Sequence, residues 1–405
     1  MTKTEIQNLL VVGTDTVLIA TSAKEAGYTV YAADYFGDID LRRVCSDYKA
    51  VIEQKPRKSC GRMESSFKPE AFLKMAKLLS KKYRIDAILL SSGLDDCSNV
   101  LYKLNDLIPI LGNHPRVIEK VREKPGFFKE LKLLGVPYPE MAIVKDVYEA
   151  KTAAVEMGYP VVVKPIRSFG GVGIRMAQDS EEMGKAFFDV SLTSESVLIQ
   201  KLVDGVHASV SLLATHEDVK VLSVNEQLLG LRLVFQREPF GYCGNTVPLY
   251  VANSVFERCK YIAEKIVFHF GLKGSNGIDL VISKEGVPYV VEVNPRFQGT
   301  LECVERVLGI NLVKSHINAC VHGSLPVING KTSTFCTRLI LYAPKRVMVP
   351  DLTVFRGVRD IPLPDSIIEE GEPLCSVFTG GNNRNFSFQK AKKLANSIYS
   401  TLLPA

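Results

Sequence analysis

Apolar runs alternate with amphipathic helical segments along the first third of the chain. The segments between the runs carry apolar residues at the period of a helix. Strands that are separated by helices pair in parallel, and helices cover both faces of the resulting sheet. The pattern therefore predicts an N-terminal α/β domain. The predicted strands are Leu9–Gly13, Tyr28–Ala33, Ile85–Leu90 and Leu107–Leu111, and the predicted helices are Thr14–Ala26 and Pro69–Tyr83.

The turns that follow these strands indicate what the sheet could bind. After Gly13 the chain continues with Thr14–Thr16, so the G-x-G-x-x-G pattern is absent and a dinucleotide site is not predicted. The ends of the strands still face the ligand crevice of such a sheet. Two segments at strand ends are therefore candidates for substrate contact, Asp34–Asp38 and Ser91–Asp96, the second with Gly93 at its turn.

Composition excludes several classes of protein. The chain has 405 residues, of which 46% are hydrophobic and 23% charged, and these values exclude a disordered chain, a collagen and a coiled coil. The net charge of +6 is small for a nucleic-acid-binding protein. Nine scattered cysteines without C-x-x-C, and six histidines without H-E-x-x-H, argue against disulfides and zinc. The N-terminal apolar run is too short for a signal sequence or a membrane span, so we expect a cytoplasmic protein.

A strand followed by a glycine-rich loop lies within Tyr159–Ile174. The strand ends at Lys164, and the loop contains Gly170, Gly171 and Gly173. Glycines allow backbone N–H groups to approach phosphate oxygens closely, and a lysine at the strand end adds a positive charge. The segment is not a Walker loop, because G-x-x-x-x-G-K-[ST] is missing. It predicts a phosphate site, with a plain hairpin as an alternative of nearly equal weight.

A second informative segment is a hairpin that carries carboxylates. The turn signal Lys284–Val287 separates two apolar segments, Asn276–Ser283 and Pro288–Asn294. Folding at this turn brings Asp279 near Glu292, and Asn294 shares a strand face with Glu292. Oxygen ligands beside a phosphate site suit Mg²⁺. The alternative is a solvent-facing strand with ordinary charges, but the surrounding valines favour a buried setting.

Taken together, these features resemble the ATP-grasp superfamily, in its biotin-carboxylase-like branch. The resemblance rests on the order and spacing of five features and covers most of the chain. The features are Lys124, Lys164 with its glycine loop, Gln200–Val203, Asp279 and Glu292–Arg296. It implies an ATP-grasp fold, α/β with α+β character in the later domains, behind an N-terminal parallel-sheet domain. The expected domains are residues 1–112, 113–204 and 205–405, with ATP between the second and the third.

The resemblance also implies a set of nucleotide-binding residues. Lys124 and Lys164 would hold the ATP phosphates under a flap formed by the loop glycines. Gln200 stands where the family more often has Glu, and its amide could accept from the adenine amino group, beside Lys201 and Val203. His207 lies where the family often has a Glu near the ribose or the metal. A histidine without function is an equal alternative there.

The catalytic metal site is implied in the same way. Asp279, Glu292 and Asn294 would bind Mg²⁺ or Mn²⁺, and Arg296 would face the transferred phosphoryl group and the acyl intermediate. The implied reaction is phosphoryl transfer to a carboxylate, followed by attack of an amine on the acyl phosphate. The expected partners are thus a small-molecule carboxylate and an amine, with no nucleic acid and no membrane. A homodimer is left open.

A departure from the biotin-carboxylase pattern narrows the expected function. Thr300 stands where those enzymes have the Glu that serves as base for bicarbonate, and Glu302 would point elsewhere in a regular segment. We therefore expect a carboxylate–amine ligase, similar to archaeal-type carboligases and making a cofactor or a modified amino acid. A bicarbonate-using carboxylase and a non-catalytic nucleotide-binding regulatory module are the alternatives.

Arg237, in the loop Phe235–Asn245, is the candidate for pairing with a substrate carboxylate, and a plain surface loop is the alternative.

Overall fold

A computed structural model describes residues 6–167, 170–328 and 333–405. Its N-terminal part is a four-stranded parallel sheet in the order β3-β2-β1-β4, with apolar side chains buried on both faces. The strands are β1 (Asn8–Gly13), β2 (Thr29–Asp34), β3 (Asp47–Ala50) and β4 (Ala87–Leu90). The helices are α1 (Val17–Glu25), α2 (Ile39–Val44), α3 (Met63–Ser66), α4 (Pro69–Lys82) and α5 (Ser98–Leu107). The predicted α/β fold class is confirmed.

One strand of the prediction is wrong. Leu107–Leu111 does not form a strand, because α5 runs to Leu107 and Ile110 alone bridges to Ile88 of β4. Pro109 lies in the middle of the segment and has no N–H to donate to a sheet. The observed outer strand β3 has the mixed sequence Asp-Tyr-Lys-Ala, which gives no apolar run to detect.

The second sheet is small and antiparallel, in the order β5-β8-β6-β7. Two helices pack together against it and close a core of its own. Its strands are β5 (Met141–Val144), β6 (Val161–Pro165), β7 (Arg175–Ala177) and β8 (Val197–Lys201). The helices of this part of the chain are α6 (Pro115–Arg122), α7 (Lys124–Leu133), α8 (Val147–Met157) and α9 (Ser180–Ser191).

The third sheet has eight strands in the order β13-β12-β9-β10-β11-β14-β18-β16, and a small sheet β17-β15-β19 lies apart from it. The strands are β9 (Gly205–Ala214), β10 (Val219–Leu229), β11 (Tyr242–Val247), β12 (Gly274–Ser283), β13 (Pro288–Asn294), β14 (Phe335–Tyr342), β15 (Val347–Met348), β16 (Val358–Arg359), β17 (Ile367–Ile368), β18 (Pro373–Gly381) and β19 (Leu403–Pro404). The helices are α10 (Asn253–Phe270), α11 (Leu301–Leu308), α12 (Leu312–His322) and α13 (Arg384–Tyr399). Within the described ranges, no helix is both long and apolar enough to cross a membrane.

The hairpin predicted at Lys284–Val287 is present, and it pairs β12 with β13. The apolar segment Leu231–Phe235 is not a strand, because its centre is a turn of 3₁₀ helix over Arg232–Val234. Gly230, before this turn, and Phe235, after it, both have positive φ values. An extended strand cannot run through that conformation, so β10 pairs with β9 and β11 instead.

Candidate active site

A single cavity of about 670 Å³ is lined by residues from all three large sheets. The turns after β1, β2 and β4 line one side of it. The glycine loop, the end of β8 and the β12–β13 hairpin line another side. The two strand-end segments Asp34–Asp38 and Ser91–Asp96 both contribute lining residues, and Gly93 is among them.

The carboxylate pair of the hairpin lies in this cavity. Asp279 and Glu292 are directly opposite each other across the β12–β13 pair. Burial, and next the charge of Glu292, raise the pKa of Asp279 to about 7. Burial acts to raise the pKa of Glu292 as well, but Arg122, Lys124 and other nearby cations lower it to about 2. Glu292 is therefore firmly ionised. Asp279 ionises less readily, because its negative charge would be repelled by that of Glu292.

This arrangement can hold a divalent cation. Asp279 and Glu292 are two carboxylates that repel each other when both are ionised, and a cation between them would remove that cost. Asn294 donates its Nδ2 to Asp279 at 3.0 Å, and its oxygen accepts from Arg296 at 3.1 Å, so its oxygen is already engaged. No group of three or more His, Cys, Asp or Glu suited to a metal occurs in the described parts of the chain. Two carboxylates completed by phosphate oxygens are the ligand set that Mg²⁺ uses.

The two lysines lie close to this pair. Lys164 is half-buried, and its Nζ donates to Oε1 of Gln200 at 2.6 Å. Burial and the neighbouring charge of Lys124 lower the pKa of Lys164 to about 8. Lys124 is the first residue of α7, and both lysines line the cavity. Two cations held together in a low-dielectric pocket repel each other, and this repulsion would be relieved by an anion such as a phosphate.

Arg296 ties the hairpin to the N-terminal sheet. Its Nε donates to both carboxylate oxygens of Asp95, at 3.0 and 2.9 Å, and its Nη1 donates to the carbonyl of Phe297. Asp95 follows β4, so this ion pair joins two of the three sheets at the cavity. The guanidinium is thereby held in one orientation, because each of its nitrogens has a partner.

Arg122 is a site residue that the sequence reasoning missed. It is 8% exposed, donates to both oxygens of Asp96 at 2.8 Å, and forms an ion pair with Glu292. The signal that could have found it is a basic residue two positions before Lys124, at the end of a helix. Asp95 and Asp96 thus use their carboxylates to hold Arg296 and Arg122.

The glycine loop is docked against the start of β11. The carbonyl of Gly170 accepts from the backbone N–H of Tyr242 at 3.0 Å. Gly171 packs so tightly that a Cβ there would run into the carbonyl of Phe240. Gly170 and Gly171 line the cavity and Gly173 is not among its lining residues. Residues 168 and 169 of the loop lie outside the described residues.

The predicted adenine-binding segment also lines the cavity. Gln200, Lys201 and Val203 all contribute, and Nζ of Lys201 donates to the carbonyl of Gly158 at 2.6 Å. Because Oε1 of Gln200 accepts from Lys164, the expected role of this oxygen as acceptor for the adenine amino group is already taken. Its Nε2 is buried and has no partner among the described residues, so a donor remains for a ligand acceptor.

His207 and Arg237 have different positions with respect to the cavity. His207 lines it, with its ring against Phe240, and burial followed by the charge of Lys164 lowers the pKa of the imidazole. A neutral imidazole is therefore the form present at neutral pH. Arg237 is not among the lining residues, and it forms an exposed ion pair with Glu370. The structure does not bring Arg237 to the other site residues, although Phe240 and Tyr242 of the same segment line the cavity.

The residues after Arg296 have the geometry expected from the sequence. The hydroxyl of Thr300 hydrogen-bonds that of Ser211 at 2.9 Å, and Gln298 accepts from the same serine at 3.1 Å. Glu302 is held on α11 by ion pairs with Arg306 and Arg359. It is not among the residues that line the cavity. Thr300 therefore lines the cavity where a base for bicarbonate is expected, and Glu302 does not.

Comparison with known proteins identifies the family of the central part of the chain. Residues 121–300 match the ATP-grasp domain family, so the chain contains an ATP-grasp domain over this region. This segment contains the two lysines, the glycine loop and the carboxylate hairpin. The resemblance to ATP-grasp proteins that the sequence indicated is confirmed.

Individual relatives extend the similarity beyond this domain. An uncharacterized protein of Methanocaldococcus jannaschii is 25% identical over 394 residues, covering 96% of this chain and 90% of that protein. The carbamoyl phosphate synthase large chain of Vibrio cholerae is 26% identical over 260 residues, or 62% of this chain, which spans only 23% of that larger protein. The biotin carboxylase domain of the 2-oxoglutarate carboxylase of Hydrogenobacter thermophilus has a TM-score of 0.75 at 18% identity, covering 99% of this chain and 91% of that one.

Proposed function

We propose that the protein is an ATP-dependent carboxylate–amine ligase that forms an amide through an acyl phosphate. One observation carries the proposal. Paired lysines and a carboxylate hairpin line one cavity together with an arginine that is fixed by Asp95. These are the groups that phosphoryl transfer to a carboxylate requires, because charge develops on the phosphoryl oxygens in that step. ATP with Mg²⁺ or Mn²⁺ would be the cofactors.

The nucleotide would be bound by groups whose charges or hydrogen bonds are incomplete. Lys124 and Lys164 would hold the phosphates, since an anion relieves their mutual repulsion. The partnerless Nε2 of Gln200 would donate to a ring nitrogen of adenine. The backbone of Lys201–Val203 would supply further contacts. Gly170 and Gly171 would cover the phosphates and limit the access of water to the reacting groups.

Asp279 and Glu292 would hold the metal ion, with Asn294 fixing Asp279 by its amide. Bound Mg²⁺ would neutralise negative charge on the phosphates and orient the terminal phosphoryl group. Arg296 would contact the substrate carboxylate and the departing phosphoryl oxygens. Its rigid pairing with Asp95 supports this role, because a pre-oriented guanidinium needs no reorganisation during the reaction.

The reaction balances in two steps. A carboxylate oxygen attacks the γ-phosphorus of ATP, the bond to the β-phosphate oxygen breaks, and ADP leaves. A neutral amine then attacks the acyl carbon, the C–O bond to phosphate breaks, and phosphate leaves as the amine loses a proton. The amide is the product. The acid and the amine are small molecules, and the product of the reaction would be a cofactor precursor or a modified amino acid.

A bicarbonate-using carboxylase is the competing function. The similarity to a biotin carboxylase domain concerns the fold alone at 18% identity. Thr300 at the position expected for the base, and the engagement of Glu302 with two arginines, both favour the ligase. A regulatory module that binds nucleotide without turnover would have no need for Arg296 beside a complete carboxylate pair.

ADP release over a panel of acids, amino acids and amines, with and without bicarbonate, tests the proposal. We expect turnover that depends on an acid and an amine together and yields an amide detectable by mass spectrometry. K164A and E292A should abolish it, whereas E285A, on the exposed turn of the same hairpin, should leave it unchanged. Bicarbonate-dependent turnover without an amine would establish the carboxylase instead. Nucleotide binding without turnover on any substrate would support the regulatory module.

A further inference from the structure

The cavity that contains Arg296 also contains an acidic chamber, which we define by Asp15, Asp38, Asp360 and Arg338. The proposed reaction assigns no role to these four residues. All four residues line the cavity. Asp15 follows β1, Asp38 precedes α2, Arg338 lies on β14 and Asp360 follows β16. Three carboxylates from separate elements thus line the same cavity as the candidate phosphate site.

Arg338 is a fixed part of the wall. It is 2% exposed, and its Nη2 donates to Asp15 at 2.9 Å and to Asp360 at 3.1 Å. Its Nη1 donates to the carbonyl of Gly299, and its remaining N–H groups are directed at Ser376. A guanidinium with this many partners has no strong donor left for a ligand. It contributes one positive charge against three carboxylates.

The carboxylates have acceptor capacity that the protein does not use. Oδ1 of Asp15 and Oδ1 of Asp360 are both buried and have no hydrogen-bond partner among the described residues. Asp38 is 5% exposed and accepts from the uncharged Nε2 of Gln54 at 3.0 Å. Buried acceptors without donors are costly, and each calls for a partner that the described residues do not supply.

The charges around these carboxylates indicate that the missing partner is a cation. Burial, and then the charges of Asp40 and Asp34, raise the pKa of Asp38 well above its usual value. Burial and Asp15 raise the pKa of Asp360 to about 8, even though Arg338 opposes the shift. Both shifts have the same two causes, burial first and then the charges of neighbouring carboxylates. A ligand with positive charge and N–H donors would restore the balance.

The walls favour an organic cation over a metal ion. Phe36, Ile52, Met63 and Phe67 line the same cavity and present apolar surface to it. Arg338 would repel a metal ion at the position where two of the carboxylates meet. No cluster of metal-ligating side chains is found here within the described ranges. An ammonium or guanidinium group on an aliphatic stem satisfies both the carboxylates and the apolar walls.

We propose that the acidic chamber binds a remote cationic group of the amine substrate, so that this substrate is a basic amino acid or a diamine. The inference rests on the proposed ligase function. One amino group of such a substrate would attack the acyl phosphate as a free base, while the second, protonated group occupies the chamber. The chamber would thereby set both the selectivity for the amine and the orientation of its nucleophilic end.

The test compares amines that differ only in the remote charge. Ornithine, lysine, arginine and linear diamines are each paired with a neutral analogue of similar length, namely norvaline, norleucine, citrulline and monoamines. Binding is measured by calorimetry in the presence of ADP, and turnover by ADP release. At least one cationic member should bind at least about tenfold more tightly than its neutral partner, and should show a KM lower by a similar factor. Equal binding within every pair would overturn the inference.

Variants of the chamber residues test whether the chamber causes the preference for cationic amines. D38N and D360N should remove the preference for the cationic member and raise its KM at least about tenfold, while the KM for ATP changes little. An unchanged KM for ATP also reports that these variants are folded. D106N, at an exposed position of α5, should retain the preference. Retention of the preference by both D38N and D360N would contradict the assignment of the chamber.

The two proposals fail in different ways. If no acid and amine pair stimulates ADP release, the ligase function is wrong, and calorimetry still decides whether the chamber selects cations. If neutral amines are used as well as cationic ones, the ligase function stands and the inference about the chamber is wrong.

Discussion

Asp279 and Glu292 face each other across the β12–β13 pair, and their pKa values lie far apart, at about 7 and about 2. Glu292 is kept ionised by Arg122 and the two lysines, whereas Asp279 meets burial and the charge of Glu292. A carboxylate pair with this asymmetry is prepared for a cation, because the second negative charge becomes stable once positive charge lies between the two groups.

The first prediction concerns this pair. D279N removes one charged metal ligand but keeps the size of the side chain and the hydrogen-bonding capacity toward Asn294. We expect the Mg²⁺ concentration for half-maximal ADP release to rise by about 10- to 100-fold. The Mg²⁺ dependence of initial rates at saturating ATP measures the shift. E285Q, on the exposed turn of the hairpin, is the control. An unchanged Mg²⁺ dependence in D279N would remove Asp279 from the metal site.

The second prediction concerns Lys164. K164M keeps an aliphatic chain of similar length and removes a half-buried positive charge that we assign to the ATP phosphates. A hydrogen bond to a charged group contributes about 1.5–3 kcal/mol, so the KM for ATP should rise about 10- to 100-fold. Steady-state kinetics at varied ATP checks this, with K185M as the control, because Lys185 is exposed on α9. A KM for ATP equal to that of the wild type would contradict the role assigned to Lys164.

The third prediction uses two neighbouring glycines that differ in their surroundings. Gly170 and Gly171 both have positive φ values, so alanine carries a similar backbone cost at each. At Gly171 a Cβ would also run into the carbonyl of Phe240, whereas at Gly170 it would meet open space. G171A should therefore displace the loop, raise the KM for ATP and increase ADP release without amide formation. G170A should show a clearly smaller effect in the same assays, and equal effects would mean that the contact with Phe240 is irrelevant.

The N-terminal sheet and the carboxylate hairpin could be predicted from the sequence because both depend on local patterns. Apolar runs bounded by glycine identify β1, β2 and β4, and the turn Lys284–Val287 sets which residues of β12 and β13 lie opposite each other. The same logic missed β3, whose residues carry no apolar signal. It also took an apolar segment interrupted by Pro109 for a strand.

The remaining site residues depend on contacts between distant parts of the chain. Asp95 meets Arg296 across 201 positions, and Asp15 meets Arg338 across 323. No periodicity or spacing in the sequence reports such a pair, because its two residues belong to, or follow, strands of different sheets. The role predicted for Arg237 also ignored a contact with a distant residue. A basic residue in a glycine-rich loop looks available for a substrate until the fold supplies Glu370 as its partner.

The last prediction concerns stability and a group outside the cavity. Burial raises the pKa of Glu305, on α11, to about 7, although the hydroxyl of Ser22 and the N–H of Leu312 both donate to it at 2.6 Å. Below about pH 4.5 the carboxyl is protonated in the folded and unfolded states alike. As the pH rises from there to about 7, the unfolded state ionises first, so the folded state loses stability.

E305Q cannot ionise and should avoid this loss. The free energy of unfolding of E305Q, relative to that of the wild type, should therefore increase by about 1–3 kcal/mol between pH 4.5 and pH 8, as measured by urea denaturation. E257Q, at an exposed position of α10, should show no such change with pH. A difference between E305Q and the wild type that stays constant over this range would mean that Glu305 ionises in the folded protein as easily as in the unfolded chain.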